Sequence, residues 1–155
     1  MQKQIKQIRD LEVIEKELNS HTAGILAVLT DEDKLIQHPT NYLYVDKNIY
    51  LFFNDEDELF NSIKFDHIAS FAIIRSGEFK KDSKSNNPSI YQFFAITISG
   101  MLRKVEDSKL TEEIKKYYIK KYSEQTARGE IEFSGTERIV IIDTEEIQAV
   151  EEVGG

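Results

Sequence analysis

Cysteine is absent from the 155 residues, which excludes disulfide cross-links, thiolate nucleophiles and Cys-ligated zinc. A reducing compartment suits such a chain, so a cytoplasmic location is expected. Long apolar runs are missing as well: no segment approaches the roughly 20 apolar residues of a membrane span. The first ten residues alternate charge with isolated apolar side chains and lack the apolar centre of a signal peptide. No membrane association is expected. Cations are scarce, with 20 Lys and Arg against 28 Asp and Glu and a net charge of −8. That balance repels a phosphate backbone, and nucleic acid is not an expected partner. There are only 3 His, without Glu-x-x-His or His-x-His spacing, so no metal site is expected. No Ser lies in a Gly-x-Ser-x-Gly elbow, which sets the serine-hydrolase triad aside.

What the chain has is 40% hydrophobic residues over a length that fills one core, and residues 1–155 are read as a single domain. Ile5, Ile8, Leu11, Ile14 and Leu18 recur at helical spacing among polar residues and predict an amphipathic helix. Ala23 to Leu29 is a short apolar run between turn residues, as expected of a strand buried on both faces. Thr30 to Lys34 reads as a hairpin turn. Strands are then predicted from Leu35 to Val45 and from Ile49 to Phe53, joined by Asp46-Lys47-Asn48, a tight turn tolerant of left-handed backbone. The acidic stretch from Asn54 to Glu58 predicts the charged first turn of a short helix carrying Leu59, Phe60 and Ile63.

Further strands are predicted over Ile68 to Ile74 and Tyr91 to Gly100, the latter continuing to Val105 past a bulge at Gly100. Between them, residues 77 to 89 read as a polar surface loop. A second helix is predicted from Thr111 to Gln125, with the Lys115-Lys116 and Lys120-Lys121 pairs on its solvated face. Arg138 to Asp143 reads as the last strand, followed by a polar tail. This order predicts a mainly β protein with helices, either a closed barrel or two packed sheets.

The pieces Gly24-Ile-Leu-Ala27, His38-Pro-Thr-Asn-Tyr42, Ile49-Tyr-Leu-Phe-Phe53, Asn61-Ser-Ile63, Ala69-Ser-Phe71 and Ser99-Gly100, in that order, resemble the pyridoxamine 5'-phosphate oxidase-like proteins of the general stress protein type. The resemblance implies a six-stranded antiparallel split barrel with flanking helices. It also implies a homodimer that holds flavin mononucleotide (FMN) in two clefts at the subunit interface. A true pyridoxamine phosphate oxidase is not implied, because this C-terminus offers only Arg138 before a run of acids. The closing Val153-Gly154-Gly155 is faintly similar to the Gly-rich tail of haem-degrading split barrels.

Carried over residue by residue, the resemblance places cofactor contacts at His38, Thr40, Asn41, Phe53, Asn54 and Lys64. It also marks departures. The Arg-Lys pair usual at the start of the short helix falls at Glu58-Leu59, and a Gln often aimed at the flavin ring falls at Ala95. Each candidate has a structural alternative. His38 is either a phosphate or flavin contact, or a strand residue with one nitrogen bonded to backbone. Phe52, Phe53, Phe93 and Phe94 either stack on a ring system or fill the core. Two functions stay open: an FMN-dependent flavoprotein of unknown substrate, and a non-catalytic relative that binds another small molecule as a dimer.

Overall fold

The computed structural model describes residues 3–76, 91–123 and 131–154. Within them the chain runs β1 (Lys3–Ile8), α1 (Leu11–Ser20), β2 (Ala23–Leu29), β3 (Leu35–Asn41), β4 (Leu43–Val45), β5 (Asn48–Asn54), α2 (Glu58–Ser62), β6 (His67–Ser76), β7 (Tyr91–Lys104), α3 (Ser108–Ser123) and β8 (Glu137–Gly154). The loop expected over 77–89, the helix end expected at Gln125 and the final Gly155 lie outside the described residues.

The strands form one 8-stranded antiparallel sheet in the order β3-β2-β6-β7-β8-β5-β4, with β1 also paired to β8. β3 and β4 stand at opposite ends of that order, yet only Tyr42 separates them in the chain. One residue reaches less than about 4 Å, so the sheet must curl until its ends meet. No ladder joins β3 to β5 at the seam; instead the rings of His38 and Phe53 stack there, 5.9 Å apart. The curled, unclosed sheet is a split barrel, the expected class, with more strands than the six anticipated.

The difference in strand count has two physical sources. The run from Leu35 to Val45 was expected to be one strand, but it changes neighbours at Tyr42 and becomes β3 and β4. The periodic stretch from Ile5 to Leu18 was expected to be one helix, but Lys3–Ile8 is β1, paired with Ala149–Gly154 of β8. Asp10 then caps α1, its carboxylate accepting from the Glu12 N–H at 3.0 Å. Only Ile14 and Leu18 of the predicted helical stripe are buried in α1, and Ile5 is 68% exposed. The expected polar tail after Asp143 is likewise strand, since β8 continues to Gly154.

Two hairpins form as expected. Asp33 has φ of 59° in the β2–β3 turn, and Asp46 and Lys47, at 49° and 68°, form the two-residue turn between Val45 and Asn48. That pair of left-handed residues matches the strand twist. Gly24 faces the barrel interior where the Phe71 ring crosses it; a Cβ would stand 2.3 Å from that ring and 2.7 Å from the Ala72 carbonyl oxygen.

Two cores result. Inside the barrel pack Leu26, Val28, Leu51, Phe71, Ile96, Ile98, Val140 and Ile142, closed at one end by Ile14 and Leu18 of α1 and at the other by Phe60 of α2. Outside, α3 lays Ile114 and Tyr122 against Leu43, Tyr50 and Ile139. β5 is thus buried on both faces. β2, expected to be so, is not: Leu26 and Val28 point inward, while Ile25 is 41% exposed. No helix covers its outer side among the described residues.

Candidate functional site

β2 and β5 both end beside α2: Thr30 bridges to Ile63, and the Asp57 N–H donates to the Asn54 carbonyl at 3.0 Å. α2 is short and begins on acids. Asp57 caps it by accepting from the Leu59 N–H at 3.0 Å, and Glu58 sits in its first turn. Asn61 holds the approach by donating from Nδ2 to the carbonyls of Asp55 and Asp57. The amino end of α2 therefore carries its own anions, and the helix-terminal donors that often receive a phosphate are opposed by negative charge.

Cations come instead from the sheet. Lys104 closes β7 and Arg138 lies near the start of β8, brought together because Lys104 pairs with Val140. The Lys104 ammonium stands 5.3 Å from the centre of the Phe60 ring and 4.9 Å from that of Phe65, and forms no ion pair with a carboxylate among the described residues. Arg138 donates to the Asp55 carboxylate at 3.1 Å and to the carbonyls of Gly135 and Glu137. Between the two cations opens a cleft of about 370 Å³, bordered by Phe60, Val105, Glu106 and Ile139. A guanidinium, an ammonium and the Phe60 ring at one cleft, outnumbering the single Glu106 carboxylate there, suit an anion attached to a flat or apolar group.

The residues anticipated from the sequence do not form one cluster. His38 is half-buried and stacks on Phe53, which is itself buried and touches Phe60. Neither ring nitrogen of His38 has a hydrogen-bond partner among the described residues. Asn54 binds Thr136 Oγ1 through Nδ2 and the Glu56 N–H through Oδ1. Lys64 is tied to Asp33 at 2.9 Å, and its ammonium holds the Asp33 carboxyl below the usual range. Thr40 and Asn41 lie towards the other end of the barrel, Asn41 donating to the Thr22 carbonyl.

Within the acidic stretch from Asn54 to Glu58, Asp55 is paired with Arg138 and Asp57 is committed to capping α2. Phe52 packs on Tyr118 and Phe133 under α3, a core use. Lys104 was not singled out from the sequence. The signal for it is parity: Lys104 follows Ile98, Gly100 and Leu102 on the same face of β7, exposed where the strand ends.

No protein-family model matches the chain, and no curated protein matches it. Solved structures do. The FAD-binding protein from Mycobacterium smegmatis superposes with a TM-score of 0.68 at 12% identity, covering 97% of this chain and 100% of that one. An FAD-binding protein from Mesorhizobium loti gives 0.66 at 16%, covering 95% and 97%. A provisionally assigned pyridoxamine 5'-phosphate oxidase from Corynebacterium glutamicum gives 0.59 at 16%, covering 96% and 98%. The chain has the fold of this flavin-binding split-barrel group. The split barrel also reaches a protein provisionally assigned to 5-nitroimidazole antibiotic resistance from Bacteroides thetaiotaomicron, at a TM-score of 0.73 and 12% identity over 100% of this chain and 93% of that one. At these identities the likeness concerns the path of the chain, and the side chains above carry the rest.

Proposed function

We propose that this chain is a flavin-binding split-barrel protein that holds FMN, with the phosphate in the cleft between Lys104 and Arg138. The observation that carries this reading is the Lys104 ammonium over Phe60 and Phe65, without a carboxylate partner among the described residues, on a cleft that Arg138 also lines. The residues fit the group. Lys104 supplies a point charge, Arg138 a fork that can share its donors between Asp55 and a phosphate oxygen, and Phe60, Val105 and Ile139 an apolar wall. His38, half-buried at the seam, is the proposed donor towards the flavin ring. Bound flavin would supply electron or hydride transfer; the protein residues neutralise, orient and shield it.

A homodimer belongs to the same reading. Ile25, Ile68, Ile74 and Leu35 are 41%, 54%, 54% and 72% exposed. All stand on the outer face of β3, β2 and β6, as the pairing of Ile25 with Ala72 and of Leu29 with Leu35 requires. Such an apolar face favours burial against a second copy. The alternative, a non-catalytic relative, draws support from Asp57 and Glu58 on α2.

Titration of FMN, followed by its fluorescence and visible absorbance, tests the proposal. Wild-type protein is expected to bind, and Lys104→Ala with Arg138→Ala to weaken binding by roughly tenfold to a hundredfold, the usual worth of charge-assisted bonds. Protein that stays colourless and leaves FMN fluorescence unchanged refutes it. Sedimentation of the same sample reads the dimer.

A further inference from the structure

At the barrel end remote from α2, a second cleft of about 430 Å³ opens between α1, β4 and α3. Leu43, Tyr44 and Val45 line it from β4, and Tyr117, Lys120 and Lys121 from α3. In a chain with a net charge of −8, the described residues that line this cleft include two lysines and no acid. Its volume lies within the roughly 300–1,000 Å³ typical of small-molecule sites, and its make-up of apolar surface with a few polar groups is also typical.

Lys121 is the notable group. Expected on a solvated helix face, it folds inward instead, its ammonium 4.2 Å from the centre of the Tyr42 ring and 5.5 Å from that of Tyr122. Its one hydrogen bond among the described residues is to the Tyr42 carbonyl at 3.4 Å. No carboxylate pairs with it among them, and burial pushes its pKa down to about 8. The rings that hold it are themselves fixed: Tyr42 Oη donates to the Leu18 carbonyl, and Tyr122 Oη accepts from the Tyr42 N–H at 3.1 Å. Tyr44, on the same cleft, has a buried hydroxyl without a hydrogen-bond partner among the described residues. Burial and the nearby Glu15 carboxylate raise its pKa, so it stays a neutral phenol. A cation held rigid, partly desolvated and unpaired beside apolar side chains is prepared for an anion with an apolar body.

We propose that this cleft binds a small organic carboxylate bearing an aromatic ring, the carboxylate on Lys121 and the ring against Leu43, Val45 and Tyr117. The site is separate from the Lys104–Arg138 cleft and does not depend on flavin binding. Benzoate, phenylacetate and indole-3-acetate are titrated into the ¹⁵N-labelled full chain, with benzamide as the neutral counterpart of benzoate. At least one acid is expected to shift the amides of residues 43–45 and 117–121 saturably, while benzamide does not. Lys121→Gln should lower that affinity by tenfold or more, and Lys104→Ala with Arg138→Ala should leave it unchanged. The proposal is overturned if none of the three acids shifts these amides at millimolar concentration, if benzamide binds as well as benzoate, or if Lys121→Gln binds as wild type does. Because the comparison of acid with amide uses only the wild-type chain, a poorly folded variant does not blunt the test.

Discussion

Replacing Tyr122 by Phe removes one oxygen at the junction of α3 with the barrel, and its cost can be worked from the contacts. Tyr122 is 7% exposed, and Tyr42 is 0% exposed. The hydroxyl accepts from the Tyr42 N–H at 3.1 Å and faces the carbonyls of Tyr42 at 2.6 Å and Thr22 at 3.0 Å, to one of which its single proton goes. The variant forfeits a donated bond worth about 1 kcal/mol and leaves a buried backbone N–H without its acceptor, a further 1–3 kcal/mol. A loss of about 3 kcal/mol is expected in urea unfolding followed by circular dichroism, with the slope unchanged. The corresponding fall in Tm is about 6–12 °C for a chain of this size. Tyr118→Phe is the control: its hydroxyl makes no hydrogen bond among the described residues, so a change below about 0.5 kcal/mol is expected there. Tyr122→Phe within 0.5 kcal/mol of wild type would refute the account of the junction.

Two other substitutions probe the sheet and the rim. A Cβ at Gly100 would stand 2.0 Å from the Asp143 carbonyl oxygen and 2.7 Å from its carbon, both backbone of the neighbouring strand. Gly100→Ala should therefore cost about 3 kcal/mol or deplete the soluble fraction, and a melt indistinguishable from wild type would contradict the bulge geometry. Glu137 accepts from the Ser134 N–H and Oγ and from the Gly135 N–H at 2.8, 2.9 and 2.9 Å. Burial raises its pKa, but these donors outweigh it and hold the carboxyl at about 2. Because the folded value lies below the ordinary 4.5, the stabilisation is whole above that pH and disappears as pH falls towards 2. The site is open to water, so screening limits the effect to about 1 kcal/mol. Glu137→Gln should be less stable by that amount at pH 7 and equal to wild type near pH 2; a gap that persists across a urea series at decreasing pH excludes this origin.

Much of the barrel was legible because neighbours in sequence decide it. Asp46-Lys47 makes its turn locally, Asp57 caps α2 three residues before Phe60, and the apolar alternation of Ile96, Ile98, Gly100 and Leu102 survives the bulge intact. The bulge is hidden in the other strand. Ser99 faces Glu146 while Gly100 faces Thr144, so Glu145 is the extra residue and the inward parity of β8 changes from Val140 and Ile142 to Ile147 and Ala149. Alternation from Arg138 onward breaks after Asp143, which is why the last strand was expected to end there. β1 was illegible for a different reason: its partner is Ala149–Gly154, the far end of the chain, and helix-like spacing says nothing about a distant ladder.

The same logic governs the candidate sites. A net charge of −8 argued against a nucleic-acid partner, yet charge acts locally, within about a Debye length, and leaves room for small cationic clefts. Strand pairing sets Lys104 beside Arg138 across 34 positions of sequence, and helix packing turns Lys121 onto Tyr42 across 79. Both cationic clefts are made by tertiary contacts between elements that look unremarkable separately. Motif spacing around α2 could place a phosphate only where Glu58 stands; the folded chain offers its positive charge one strand away.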